Sequence, residues 1–257
     1  MSAHIDTGRH PIRDASYAER CRRRLDRDGA LVLEGFFTET AVGAAVAESS
    51  GREGEAYYAQ SSHNVFLTDP DSSLAPDHPF NRQVASSKGL LADDQLPRNS
   101  PLRDVYDDET FRSFLCGVLG IDEIHPYADD LSSINVHFAS AGQELGWHFD
   151  NSSFAVTMLL RAPRAGGVFE YVPAVRTDDQ DATFTNVTAA LDGAAPVQTL
   201  DFEPGALVLF RGREALHRVT PTEGDITRML VVFAYNDQPG VALSESALQT
   251  FYGRTAS

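Results

Sequence analysis

Residues 142–154 read Gly-Gln-Glu-Leu-Gly-Trp-His-Phe-Asp-Asn-Ser-Ser-Phe, and they predict a strand, an exposed turn and the start of a second strand. Two glycines, Gly142 and Gly146, lead into the pair His148 and Asp150, and an apolar run over 154–160 follows. One residue separates His148 from Asp150, so on a strand both side chains point to the same face. The stretch therefore predicts a β-rich fold with an imidazole and a carboxylate side by side at the mouth of a sheet.

A His-x-Asp triplet also has a plainer interpretation, which is a surface histidine beside a solvated aspartate. So short a motif occurs readily by chance. Its neighbours favour a site, because the only tryptophan of the chain, Trp147, adjoins His148 and an apolar strand follows.

Short segments rich in Val, Phe and Thr continue beyond residue 131, and Gly and Pro turns such as Glu203-Pro204-Gly205 separate them. Many short strands with such turns are typical of a sandwich or a jelly roll. The sequence therefore predicts a mainly β fold with flanking α-helices. The predicted strands are 132–138, 154–160, 168–172, 197–202, 206–210, 216–219 and 228–235.

The first 130 residues predict mostly helices and loops. Helices are predicted over 15–27, after Thr38 as N-cap, and over 108–119 before Gly120, with a short strand at 30–33. Residues 51–104 show weak periodicity and predict a packed, irregular lid. No linker or repeat divides the chain, so we expect a single domain over 1–257, with a β core over 131–240 and a C-terminal helix in 241–257.

Composition excludes several classes of function. The chain has 257 residues and 42% apolar residues, enough for a globular core. Its formal net charge of −16 repels phosphate backbones, so we expect no nucleic-acid partner. Because no apolar run is long enough to span a bilayer and the first residues lack a signal-peptide core, we expect a cytoplasmic protein without a membrane partner. The sequence does not indicate an oligomeric state.

A distant histidine, His217, fits as the third member of a metal site with His148 and Asp150. It follows the apolar segment 206–210 and the turn Arg211-Gly212-Arg213. Two histidines and one carboxylate with open positions form the facial triad of non-haem Fe(II) oxygenases. The plainer interpretation of His217 is a hydrogen-bonded histidine of the β core.

Arg228 begins the most apolar predicted strand, and a buried arginine is costly unless it is paired. Leu230, Val232 and Ala234 share its face, and none of them is acidic. An internal salt bridge would satisfy Arg228, and so would a dicarboxylate cosubstrate held by the planar guanidinium. Together with the triad, the second interpretation predicts Fe(II) as metal, 2-oxoglutarate as cosubstrate bound by Arg228, and O2 as the oxidant.

The sequence resembles the HalD/BesD-type branch of the Fe(II)/2-oxoglutarate-dependent oxygenases, which includes halogenases and hydroxylases of free amino acids. The resemblance implies a double-stranded β-helix of the jelly-roll or cupin-like type, metal histidines at His148 and His217, and a cosubstrate arginine at Arg228. The matching segments are 86–89, 92–94, 100–103, 126–129, 142–154, 166–171, 207–213, 217–221 and 250–254.

Asp150 is the main departure from the halogenating members. The resemblance implies that those members have a small residue here and bind chloride to iron in the gap. Since a carboxylate fills the gap in this chain, we expect a hydroxylase more than a halogenase, acting on an unactivated C–H bond of a small amino acid-like molecule with release of succinate and CO2. Desaturation or cyclisation by the same iron chemistry stays open, as does a cosubstrate-independent cupin-type metalloenzyme.

Contacts to the substrate are expected from polar and aromatic side chains near the triad and in the predicted lid. Apolar neighbours of Arg228 favour an aliphatic or aromatic substrate over a cationic one. Arg211 and Arg213 could meet a carboxylate or brace the metal strand. The candidate substrate residues are Asn135, His137, Trp147, Asn151, Tyr252, His63, Asn64 and Lys88.

Overall fold

The computed structural model describes residues 3–255, and these contain thirteen strands and six α-helices. The strands are β1 (Ala30–Leu33), β2 (Tyr57–Asn64), β3 (Gln83–Leu91), β4 (Ile134–Ala139), β5 (Leu145–His148), β6 (Ala155–Arg161), β7 (Ala165–Gly166), β8 (Phe169–Val172), β9 (Gln198–Leu200), β10 (Leu207–Phe210), β11 (Leu216–Val219), β12 (Thr222–Glu223) and β13 (Arg228–Phe233). The helices are α1 (Ala15–Asp28), α2 (Glu39–Gly51), α3 (Pro101–Tyr106), α4 (Glu109–Leu119), α5 (Gln180–Leu191) and α6 (Glu245–Tyr252).

One curled antiparallel sheet holds most of the strands. Its order is β1-β10-β6-β13-β4-β3-β5-β11-β8-β9, with β2 paired to the outside of β3 and a separate small pair, β7 and β12. Strands β3 and β5 meet through the pair Ser86 and Leu145, so the sheet turns sharply there. The fold is the jelly-roll type that the sequence predicts.

The two faces of strand β4 have different environments, because one faces the apolar core and the other faces a cavity. Ile134, Val136 and Phe138 are fully buried in the main apolar core. The residues between them point the other way, because successive side chains on a strand alternate between faces. Those residues line a cavity, and they are Asn135, His137 and Ala139.

Helices cover the outer face of the sheet, where α1 contacts β1, α2 contacts β6 and α3 contacts β4. Their ends follow the predicted signals. Thr38 accepts a hydrogen bond from the Ala41 amide at the start of α2, and Asp108 caps α4 in the same way. Gly120 ends α4 with a positive φ of 73°, which glycine adopts without steric cost.

The prediction of an irregular lid over 51–104 is wrong for residues 57–64 and 83–91. Residues of this stretch form the hairpin strands β2 and β3, and β3 pairs with both β4 and β5. Strand β2 lies at the edge and is largely exposed on both faces, so its sequence shows no alternation of apolar and polar residues. The β core therefore begins well before residue 131.

Two helices were not predicted, α3 and α5. Helix α5 is rich in Thr, whose β-branched side chain lowers helix propensity, and only its cap Asp179 marks its start. The predicted C-terminal helix is α6, which is shorter than the range 241–257, and Ala256 and Ser257 lie outside the described residues. Within residues 3–255, none of the helices combines the length and the apolar character that crossing a bilayer requires.

Replacing Phe138 by alanine tests the role of β4. The side chain is 0% exposed in the core behind the cavity, so we expect Phe138→Ala to lower the free energy of unfolding by about 3–5 kcal/mol. Urea denaturation followed by circular dichroism measures this. Val197→Ala is the control, since Val197 is 40% exposed and its truncation should change stability by less than about 0.5 kcal/mol. Equal effects of the two variants would contradict the assignment of β4 to the core.

Candidate metal and cosubstrate site

The pairing of β5 with β11 brings the two candidate metal histidines together. His148 is the direct register partner of His217, and their ring centroids are 4.1 Å apart. Beyond β5 the chain stays extended, because the amides of Phe149 and Asp150 donate to the carbonyls of Val65 and Gly212. Phe149 is fully buried on the opposite side, so Asp150 lies on the same face as His148, as predicted.

Each histidine is oriented by a hydrogen bond that its ring donates to a nearby backbone carbonyl. The Nδ1 atom of His148 lies 2.8 Å from the carbonyl oxygen of Gly146, and that of His217 lies 3.0 Å from the carbonyl of Ala215. A carbonyl only accepts, so both Nδ1 atoms carry a proton, and in the neutral ring Nε2 is the atom that presents a lone pair to a metal. The two Nε2 atoms lie 3.7 and 3.5 Å from Oδ1 of Asp150.

This donor set fits a divalent metal ion. The ligand atoms of His148, Asp150 and His217 lie within 4.8 Å of one another. Oδ2 of Asp150 is buried without a hydrogen-bond partner among the described residues, which is costly for a carboxylate unless a cation compensates it. Backbone carbonyls that fix the histidine tautomer are the usual second contacts of metal-bound imidazoles.

The protonation states also suit metal binding. Burial and the neighbouring His217 lower the pKa of His148 to about 3. Burial acts to raise the pKa of Asp150, but contacts with His217, His148 and Lys88 hold it below its usual range. A neutral imidazole and an ionised carboxylate are the forms that bind metals, so little proton release would accompany binding at neutral pH.

Gly212 was not predicted as a site residue, although its position in the turn before β11 is visible in the sequence. A Cβ at this position would lie 1.9 Å from Oδ2 and 2.5 Å from Cγ of Asp150. Any larger residue would therefore displace the carboxylate. Aromatic rings also flank His217, with Phe169 stacked at 5.5 Å and Phe210 edge-on at 4.9 Å, and these contacts were not predicted either.

Arg228 lies on β13, opposite Ala139 of β4, and faces the cavity with 6% exposure. Within residues 3–255 no carboxylate pairs with it, which excludes the predicted alternative of an internal salt bridge in this part of the chain. Burial lowers its pKa to about 10. Gly167 makes room for it, because a Cβ there would lie 2.8 Å from Cδ of Arg228.

The cavity between these elements has a volume of about 370 Å3, and its lining includes all three triad residues and Arg228. Tyr252 of α6 donates a 2.8 Å hydrogen bond to Oδ1 of Asn135, so the helix closes one side. The predicted substrate residues that line the cavity are Asn135, His137, Asn151, Tyr252 and Lys88.

Three predicted substrate residues lie outside the lining of the cavity. Trp147 packs in a second apolar cluster, with the Arg218 guanidinium 4.7 Å from its ring centroid. His63 contacts Ser86 Oγ at 2.7 Å, and fully buried Asn64 caps the loop after β2 by binding the amides of Phe66 and Thr68. These contacts support the walls of the site.

Arg211 and Arg213 brace the turn before β11. Arg211 forms an ion pair with Asp26 of α1, and Arg213 donates to the carbonyl of Asn151 at 2.6 Å. Of the two roles that the sequence left open for these arginines, the structure favours bracing.

A curled jelly-roll sheet with two histidines and one carboxylate at its mouth defines a class, the Fe(II)/2-oxoglutarate oxygenases. The model of the halogenase D family, HalD, matches residues 91–249, and the chain belongs to this family. Fe(II), 2-oxoglutarate and O2 are the cofactors and cosubstrates of the class, as predicted. No curated protein matches the sequence.

Solved structures of this class share the fold at low sequence identity. A 2OG-Fe(II) oxygenase family oxidoreductase from Burkholderia pseudomallei is 13% identical with a TM-score of 0.55, covering 87% of this chain and 92% of its own. The epimerase SnoN from nogalamycin biosynthesis, solved with Fe3+ and α-ketoglutarate, is 15% identical with a TM-score of 0.59 and coverages of 86% and 84%. A Trichoplax adhaerens prolyl hydroxylase in complex with a peptide fragment is 14% identical with a TM-score of 0.57 and coverages of 92% and 95%.

Gly212→Ala tests the geometry of the metal site without removing a ligand. The added methyl group would push Asp150 from its position, so we expect the affinity for Fe(II) to fall by about 10–100-fold, as for other changes beside metal ligands. Anaerobic calorimetric titration measures this. Gly43→Ala is the matched control, because a Cβ at Gly43 in α2 meets no atom within 4 Å. Unchanged affinity in Gly212→Ala would show that Asp150 does not bind the metal in the position described.

Proposed function

We propose that this oxygenase is a hydroxylase that uses Fe(II), 2-oxoglutarate and O2 to oxidise an unactivated C–H bond of a small, free amino acid or a similar metabolite. Succinate and CO2 are the coproducts. The observation that carries the proposal is the carboxylate of Asp150, whose Oδ2 is buried, beside the Nε2 atoms of His148 and His217. Because this carboxylate occupies the position that halogenation would need for a halide, hydroxylation is the outcome it supports.

The side chains of His148, Asp150 and His217 would hold the iron, and all three line the cavity. The Nδ1–H groups of His148 and His217 stay on backbone carbonyls, so the rings keep their orientation when a metal is bound. Bound iron, with 2-oxoglutarate and O2, supplies the oxidising chemistry, and the protein supplies position and surroundings.

Arg228 would bind the distal carboxylate of 2-oxoglutarate. Its guanidinium is buried, unpaired within residues 3–255, and directed into the same cavity as the triad. A planar guanidinium matches a carboxylate through two parallel hydrogen bonds, and such charge-assisted bonds are strongest where water is excluded.

The walls of the cavity would keep water from the reacting carbon. Apolar side chains of β6, β10 and β13 surround the polar groups, and α6 closes the side next to β4. A dry, apolar wall also orients an aliphatic or aromatic substrate, because few polar contacts compete with packing.

A turnover assay with pooled free amino acids, Fe(II), ascorbate, 2-oxoglutarate, chloride and air tests the proposal. We expect one amino acid to gain one oxygen atom, with an equal amount of succinate, when both are read by mass spectrometry. A chlorinated product would overturn the role given to Asp150. A product that has lost two hydrogen atoms would show that the enzyme catalyses desaturation or ring closure instead of hydroxylation. If iron-loaded protein forms no succinate, the oxygenase assignment is rejected.

Arg228→Met tests the cosubstrate site. Truncating one partner of a buried, hydrogen-bonded charge pair costs about 2–5 kcal/mol, so the Michaelis constant for 2-oxoglutarate should rise at least about 30-fold. Succinate formation at varied 2-oxoglutarate concentration measures it. Arg27→Met is the control, since Arg27 is an exposed residue paired with Asp28. If the Michaelis constant for 2-oxoglutarate in Arg228→Met equals that in Arg27→Met and in the unmodified enzyme, Arg228 does not bind the cosubstrate.

A further inference from the structure

Lys88 is the only lysine of the chain, which has 21 lysine and arginine residues in total. Lysine is ordinarily a surface residue, and all the remaining lysine-or-arginine residues of this chain are arginines. The single ammonium group instead lines the cavity that contains the metal triad. Neither the metal site nor the proposed cosubstrate site uses it.

Lys88 and Arg228 lie on the two strands that flank β4. Lys88 precedes Gly89, which pairs with Phe138 of β4, and Arg228 pairs with the next residue along, Ala139. Both side chains line the cavity, so two positive groups converge on it from either side of one strand.

His137 of β4 lies on the same cavity wall, close enough for both cations to act on it, and it is neutral. Burial, together with the charges of Lys88 and Arg228, holds the pKa of His137 well below its usual value. The Nζ atom of Lys88 lies 3.4 Å from Nδ1 of His137, and an ammonium group only donates, so Nδ1 is the acceptor.

The ammonium group has three donors, and His137 is its one hydrogen-bond partner among the described residues. No carboxylate in residues 3–255 forms an ion pair with it, although the charge of Asp150 acts on it from a distance. Burial lowers the pKa of Lys88 to about 8, which is the sign expected of a cation without a close partner. Two donors are therefore free for a ligand.

The rest of the cavity is suited to a substrate whose side chain is apolar and uncharged. Leu90, Leu230 and Val232 line it next to the cations, and Leu243 and Tyr127 line it further out. Glu144 is the one acidic lining residue of the described cavity besides Asp150, and it forms no ion pair with Lys88. A cation at the end of a substrate's side chain would face these two positive groups in a medium of low polarity, where like charges repel strongly.

We propose that Lys88, supported by His137, binds the carboxylate of the substrate, and that the substrate is a small carboxylate with an apolar, uncharged body. This inference rests on the proposed function, because it assigns Arg228 to 2-oxoglutarate and leaves Lys88 for a second anion. It narrows the substrate class to carboxylates with aliphatic or aromatic chains, such as apolar amino acids, and excludes chains that end in an amine.

The single lysine allows a direct measurement. Protein grown with lysine labelled with 13C at Cε gives one lysine cross-peak in a proton–carbon spectrum. The probes are hexanoate and hexanamide, added at millimolar concentration to enzyme loaded with Zn(II) and 2-oxoglutarate. We expect hexanoate to shift the Lys88 peak in a saturable way, and hexanamide, which has the same chain without the charge, to leave it in place.

Lys88→Met gives the second readout, by calorimetric titration of the same Zn(II)-loaded protein. Hydrogen bonds to charged groups contribute about 1.5–3 kcal/mol, so hexanoate affinity should fall by about 10-fold or more while 2-oxoglutarate affinity stays unchanged. Arg27→Met is the surface control and should change neither affinity.

Three results would overturn the inference. These are no shift with hexanoate, equal shifts with both probes, or a loss of 2-oxoglutarate affinity in Lys88→Met, which would assign Lys88 to the cosubstrate. Failure of the proposed function has a different signature, since it is read as absent consumption of 2-oxoglutarate by the iron-loaded enzyme in air and does not enter the Zn(II) measurement.

Discussion

The alternation of side chains along each strand is the constraint on which the molecule depends. A strand that places one residue in the core must place the next one in the cavity. In β4 this puts Phe138 behind the sheet and His137 in front of it, and in β13 it puts Met229 behind and Arg228 in front. Shifting either strand by one residue would exchange the two sets, so the stability of the core and the chemistry of the cavity are fixed by the same register.

Charge is distributed differently inside and outside. The chain carries a formal net charge of −16, yet two cationic side chains, Lys88 and Arg228, line the cavity beside the carboxylates of Asp150 and Glu144. At physiological salt, charges on the surface are screened within about 8 Å, so the acidic exterior does not prevent an anion from entering. Inside, where screening is weaker, the positive charges of Lys88 and Arg228 favour an anion over a cation.

Much of the site was predictable because its residues carry their own local signals. His148 and Asp150 are separated by one residue, and Arg228 begins an apolar strand where a charge needs a partner. The predicted N-cap Thr38 and the helix predicted over 108–119 both marked helix starts correctly. The sequence did not predict strand β2, because β2 is exposed on both faces and its residues show no alternation of apolar and polar side chains. Its strand structure depends on pairing with β3, which cannot be read from the residues of β2 alone. The need for glycine at Gly212 depends on a carboxylate distant in sequence, so no local pattern reveals it.

Helix α6 is joined to the sheet by few polar contacts, chiefly the hydrogen bond from Tyr252 to Asn135 and, just after the helix, the ion pair of Arg254 with Asp94. Phe251 and Tyr252 nevertheless form part of the cavity wall. The size and shape of the pocket thus depend on a short segment that contributes no strand to the sheet. Exchanging this segment for that of a relative would remodel one wall while leaving the three candidate metal ligands in place, which makes α6 a natural module for changing the range of molecules that fit the cavity.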